Sequence, residues 1–209
     1  MNVDSIAELK PRILEATGNN GELLLVTDFY NREFVHIEVP QYDGMTAGQT
    51  VGGRWRGPAV IYDTPIWTVT IPARVTFQVP RREVLDAIGT FVPVTFSVRR
   101  GTNPIEISDA LNLRVQGTPL PAATINAGRT QVSVLYPAQA IGQTVRVRWE
   151  GGVTRDSESQ TVVPGIANVF TIPASWVSES LGRTVFITYA VGTTTGDPYL
   201  FSRVLRVPV

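Results

Sequence analysis

The chain has 209 residues, 43% apolar and 17% charged, a composition that belongs to a folded globular protein and excludes a disordered one. Its 18 basic residues balance 18 acidic ones, so no net field draws in phosphate backbones, and nucleic acid is not an expected partner. Cysteine is absent and histidine occurs once, which removes disulfides, thiolate ligands and nearly every nitrogen- or sulfur-based metal site.

Met1-Asn2-Val3-Asp4-Ser5 carries neither the basic nor the apolar region of a signal peptide. No stretch approaches the roughly 18 uninterrupted apolar residues of a spanning helix, so membrane insertion is not expected. Ser5-Ile6-Ala7-Glu8 fits a capping box, and Pro11 would end what it starts, giving a short helix or a tail over residues 1–10. After the turn signal Gly18-Asn19-Asn20-Gly21, Leu23 to Val26 reads as a short strand. Phe34 to Val39 alternates, with Val35, Ile37 and Val39 on one face and Phe34, His36 and Glu38 on the other.

The next strand organises the chain. Gly48-Gln49-Thr50-Val51-Gly52-Gly53-Arg54-Trp55-Arg56-Gly57 returns later as Gly142-Gln143-Thr144-Val145-Arg146-Val147-Arg148-Trp149-Glu150-Gly151, so one structural unit is written twice. In both copies the valines and the tryptophan share one face and the arginines take the other. Ile66 to Ile71 alternates again, which places Trp67 with Val69 and Ile71 on a core face. Val75 to Pro80 matches Asn168 to Pro173, and each is followed by a short helical stretch, Arg81 to Ile88 or Ala174 to Leu181, with Gly89 or Gly182 just past its end. Val92 to Val98 and Val185 to Val191 are the next strands. Turn-rich links, Gly101 to Pro104 and Gly192 to Pro198, lead to the last ones, Leu111 to Val115 and Val204 to Val207.

This order predicts an all-β protein of two tandem immunoglobulin-like antiparallel β-sandwich domains, with Trp55 and Trp149 between the sheets. The expected boundaries are 1–10 for the tail, 11–116 for the first domain and 117–209 for the second, joined by the proline-bearing stretch Gln116 to Pro121.

The run Tyr42-Asp43-Gly44-Met45-Thr46-Ala47-Gly48-Gln49-Thr50-Val51, the later Trp55, Phe77-Gln78-Val79-Pro80 and the terminal Leu111-x-Leu113-x-Val115 resemble bacterial Ig-like tandem repeats of long proteobacterial surface and adhesin-like proteins. The second copy departs at Pro137-Ala138-Gln139-Ala140. The resemblance covers the chain beyond about the first ten residues and implies a fold and a cell-surface or extracellular setting, although no export signal is visible. It carries over no catalytic residue.

Little in the chain points to catalysis, and neither a catalytic site nor a cofactor is expected. His36 and Glu38 share a strand face with no patterned nucleophile nearby. Oxygen-rich loops supply Asp28, Asp43, Asp63, Asp86, Asp109, Asp156 and Asp197, but none forms a calcium-ligand run, and turn capping accounts for them. Arg54, Arg56, Arg146 and Arg148 read as a sheet face paired with neighbouring acids. The expected function is that of a non-enzymatic structural or interaction protein with a protein or carbohydrate partner. The alternative is a carbohydrate-binding module using Phe29, Tyr30, Tyr42, Tyr62 and Trp67 of the first domain, against which the core-facing reading of Trp67 counts.

Overall fold

The computed structural model describes residues 5–193 and 199–209, and the chain divides into two compact units, Met1–Gly117 and Thr118–Val209. Asp197, most of the Gly192 to Pro198 link and residues 1–4 of the expected tail lie outside the described residues. In the rest of that tail, Ile6–Glu8 forms a single 3₁₀ turn capped by Ser5, whose Oγ accepts the Ala7 N–H, and Ile6 is buried.

Unit 1 is a sandwich of two sheets. The smaller holds Arg12–Ile13, Phe34–Val39 and Val75–Pro80, all antiparallel. The larger runs in the order Leu23–Leu24, Leu111–Val115, Phe91–Arg99, Thr50–Arg56, Ile61–Asp63, with Trp67–Thr68 also paired to Thr50–Arg56. Alternation decides what the sheets enclose: Val35, Ile37 and Val39 face Val51, Trp55, Val94 and Phe96, all at most 1% exposed. One pairing departs from the all-antiparallel expectation, since Leu23–Leu24 lies parallel to Arg114 and Val115. The chain thus pairs first with the small sheet through Arg12–Ile13 and then, after a 3₁₀ turn, with the large one through Leu23–Leu24.

Unit 2 repeats the plan. Thr124–Ile125, Gln131–Val134 and Asn168–Thr171 form the small sheet, and Thr144–Glu150 lies at the centre of the large one between Thr154–Asp156 and Thr184–Gly192. The repetition extends to single hydrogen bonds. Tyr42 Oη donates to Gln49 Oε1 at 2.7 Å, and Tyr136 Oη donates to Gln143 Oε1 at 2.7 Å. The Gly53 N–H donates to Thr64 Oγ1 at 2.9 Å, and the Val147 N–H to Ser157 Oγ at 3.0 Å. Pro80 and Pro173 each precede a short helix, Arg81–Asp86 or Ala174–Ser178. Gly89 and Gly182, at φ of 80° and 74°, then turn the chain through the left-handed region and donate to the last strands at Val115 O and Val209 O.

Two local expectations give way to tertiary structure. Leu23 to Val26 does not continue as a strand. Val26–Phe29 becomes one helical turn, because Asp28 accepts the Leu25 N–H at 2.8 Å and the Thr17 hydroxyl at 2.9 Å, and Phe29 then packs inward. Ile66 to Ile71 forms a strand only at Trp67–Thr68, with Val69 adding backbone bonds to Gln49 and Gly48. Pro65 and Pro72 bracket it at a sheet margin, so Val69 alone is buried while Ile66, Trp67 and Ile71 are exposed.

Candidate functional site

Cross-strand register fixes where Tyr62 and Trp67 lie. Tyr62 stands opposite Trp55 and Trp67 opposite Val51, so both are on the inward face of the large sheet but one strand beyond its core. The face assigned to Trp67 from alternation is right and its burial is not: the indole is 53% exposed. There the two side chains meet the margin of the small sheet, where Tyr62 Oη donates to Gln78 O at 3.3 Å. Burial raises the Tyr62 phenol above its ordinary pKa, with Arg82 pulling the other way, so it remains a donor at neutral pH.

The result is an open groove of about 460 Å³, walled by Phe34, Tyr62, Ile66, Trp67 and Phe77 and bearing His36, Thr76 and Gln78 as its polar groups. Ile66 reaches its place over Gly52, where a Cβ would stand 2.7 Å from Ile66 Cδ1. Of the five aromatics named from sequence, Tyr62 and Trp67 come together here. Phe29 and Tyr42 are buried elsewhere, and Tyr30 is half-buried, its carbonyl accepting from Arg81.

The carboxylate partner of His36 is Glu15 and not Glu38. Glu15 Oε1 lies 2.6 Å from His36 Nδ1, and Oε2 accepts the His36 backbone N–H at 2.8 Å. The Glu15 side chain is only 6% exposed. This clamp fixes the imidazole and leaves Nε2 without a partner among the described residues. Glu38 is taken up instead by Arg12 and Arg74. Nothing in the sequence around Ile13-Leu14-Glu15-Ala16-Thr17 signals this, because the pairing depends on the first strand lying against Phe34–Val39.

Chemically, the groove offers aromatic faces, one oriented imidazole and neutral hydrogen-bonding groups. Its wall holds neither a carboxylate nor a thiol, so neither the paired acids of glycoside hydrolysis nor a thiolate nucleophile is in place. Among the described residues no group of three or more His, Cys, Asp or Glu gathers as a metal site. The loop aspartates are engaged locally: Asp28 caps Leu25, Asp109 accepts the Ala110 N–H, and Asp63 and Asp156 hold Arg54 and Arg148 by two contacts each, between 2.6 and 3.0 Å.

The Arg54 guanidinium holds the Asp63 carboxyl below its usual range, but both side chains are about half exposed. Asp63→Ala is therefore expected to cost less than about 1 kcal/mol in urea unfolding. A larger loss would show that the pair fixes the outer strand.

No protein-family model matches the sequence. No curated protein matches it either. Among solved structures, similar chains include a 1.5-MDa bacterial ice-binding adhesin at TM-score 0.35 and 12% identity, over 95% of this chain and 62% of that one. A tetra-tandem repeat from the extending region of a large adhesion protein matches at TM-score 0.34 and 10% identity, over 96% and 48%. A Ca²⁺-stabilized adhesin from an Antarctic bacterium matches at TM-score 0.34 and 12% identity, over 98% and 49%. These neighbours are adhesin and repeat domains, and the chain spans less than two thirds of each.

Proposed function

We propose that the chain is a non-enzymatic pair of immunoglobulin-like modules that spaces or presents a binding surface, of the adhesin type carried on bacterial cell surfaces. The observation behind this reading is what the duplication preserves. The repeated parts are the sealed tryptophan, the Tyr–Gln bond, the hydroxyl on the strand amide, the Arg–Asp pair and the glycine past each helix, and all of them are scaffold. A chain that repeats its frame and no reactive group is organised for reach and display. The resemblance of Tyr42 to Val51 and Phe77 to Pro80 to bacterial tandem repeats supports the surface setting.

The test is antibody labelling of intact cells of the source bacterium, with protease treatment from outside. Label on unbroken cells that protease removes is the expected result, and label seen only after lysis defeats the surface assignment. Separately, chromogenic glycoside, ester, peptide and phosphate substrates are expected to show no turnover above buffer. Turnover lost in Glu15→Gln would overturn the non-enzymatic reading.

A further inference from the structure

The two units give an internal comparison that isolates one surface. Their frames share strand register and the repeated hydrogen bonds, so a margin where several neighbouring residues change character together is not dictated by the shared frame. Register identifies the equivalent positions. Trp67 pairs with Val51, and Gln160 pairs with Val145. Tyr62 lies opposite Trp55, and Arg155 lies opposite Trp149. His36 faces Gln78 across the small sheet, and Gln131 faces Thr171. Ile66, just before Trp67, corresponds to Ser159, just before Gln160.

Thus Tyr, Ile, Trp and His of unit 1 stand where unit 2 has Arg, Ser, Gln and Gln. In unit 2 the same margin is closed by polar bonds. Gln160 Nε2 donates to Val169 O at 2.9 Å, Asn168 Nδ2 donates to Gln160 Oε1 at 3.1 Å, and Arg155 is held by Glu179 at 3.0 Å. In unit 1 the corresponding place is open and aromatic, and it carries an imidazole held by a buried carboxylate. Solubility alone would favour the unit 2 solution, because Trp67 and Ile66 are 53% and 66% exposed.

We propose that this groove of unit 1 is a binding site for a neutral saccharide. Trp67 and Tyr62 offer flat faces for the C–H side of a pyranose ring, while His36 Nε2, Gln78 and Thr76 lie along the same wall for its hydroxyls. The groove wall contains no Asp, Glu, Lys or Arg to meet a sulfate, phosphate or uronate: Glu15 is sealed behind His36, Glu38 is held by Arg12 and Arg74, and Arg82 and Glu83, whose charges reach Tyr62, pair with each other at 3.0 Å. A purely apolar partner would leave the clamped imidazole and the Gln78 side chain desolvated without a bond, which disfavours it. The site is independent of whether the modules sit at a cell surface.

The probes are maltohexaose, cellohexaose, xylohexaose, chitohexaose and a linear mannan, titrated against the whole chain and followed by tryptophan fluorescence and amide chemical shifts. At least one is expected to bind and to shift resonances of Trp67, Tyr62 and His36. Trp67→Ala should weaken that binding at least tenfold with little change in melting temperature, since about half of the indole is exposed. The triple replacement Tyr62→Arg, Ile66→Ser, Trp67→Gln, which writes residues of the closed unit 2 margin into unit 1, should abolish it. Three outcomes overturn the proposal: no probe binds at millimolar concentration, binding survives the triple replacement, or the groove mediates concentration-dependent self-association that Trp67→Ala removes.

Discussion

Trp149→Ala is expected to lower the stability of unit 2 by roughly 3–5 kcal/mol, the cost of emptying a large aromatic site from a sealed interior. The indole has no exposed surface, and its neighbours Val147, Ile187, Val185 and Tyr189 are themselves at most 1% exposed, so little is free to collapse into the space. Its ring also lies 6.5 Å from Trp176, and its Nε1–H donates to Ser180 Oγ at 3.2 Å. Trp55→Ala should cost unit 1 less, by about 1 kcal/mol, because the buried Trp55 Nε1–H has no partner among the described residues and its removal relieves a standing penalty. Urea unfolding of the whole chain, followed by amide resonances assigned to each unit, checks both values. A loss under about 1 kcal/mol at Trp149 would contradict a sealed core.

The second large effect comes from exchanging residues between the copies. Ala87 and Ser180 occupy the same place, each two residues ahead of the left-handed glycine and each fully buried. In unit 2 the Ser180 hydroxyl accepts from Trp149 Nε1 and from the Gly152 N–H, and donates to Trp176 O at 2.8 Å. Ser180→Ala therefore orphans a buried indole N–H and should cost about 1–3 kcal/mol, whereas Ala87→Ser should supply the missing acceptor to Trp55 and gain about 1 kcal/mol. By the same scaling, each kcal/mol moves the midpoint of a unit this size by about 4–8 °C. The interpretation is checked by a cycle: Ala87→Ser should gain nothing in a Trp55→Phe background.

The reverse exchange involves Tyr189 and Phe96, which stand at matched positions, their amides donating at 2.9 Å to Ser202 Oγ and Ser108 Oγ. The Tyr189 hydroxyl is buried with no partner among the described residues, and burial, assisted by Tyr136 nearby, raises its pKa above the ordinary tyrosine value. The sign follows: the unfolded phenol ionises first, so the contribution of this group to the stability of unit 2 is fully present below about pH 10 and is lost as pH rises beyond. Tyr189→Phe should be neutral or stabilising at pH 7 and should reduce the alkaline loss. Each copy holds the remedy for the other's buried polar defect.

Sequence patterning was informative where one face of a strand is covered and the other is wet. Phe34 to Val39, Thr50 to Arg56 and their repeats show the burial that alternation predicts, and the two inward tryptophans were legible from the duplication alone. What could not be read depended on sheet margins and on contacts distant in the chain. Trp67 has the periodicity of a core residue, and only the end of the sheet beside it leaves it exposed. The short outer strands Ile61–Asp63 and Thr154–Asp156 have no apolar pattern, since Arg–Asp pairing and a hydroxyl on the strand amide secure them. Glu15 was invisible for the reason that it lies in an unpatterned loop and meets His36 only through tertiary packing.

The parallel pairing of Leu23–Leu24 in unit 1, and the single parallel bridge between Leu120 and Ser202 in unit 2, have a mechanical consequence. In unit 1 the Arg114 and Gln116 N–H groups donate to Glu22 O and Leu24 O at 2.8 and 2.9 Å; in unit 2 Leu120 donates to Phe201 O and accepts from Arg203 at 2.8 and 2.9 Å. Pulling on the two ends of a module draws such strands past each other lengthwise, so these bonds must fail together and cannot peel one at a time. A tether built from these modules would meet tugging along its length with bonds loaded in shear as well as with its packed core.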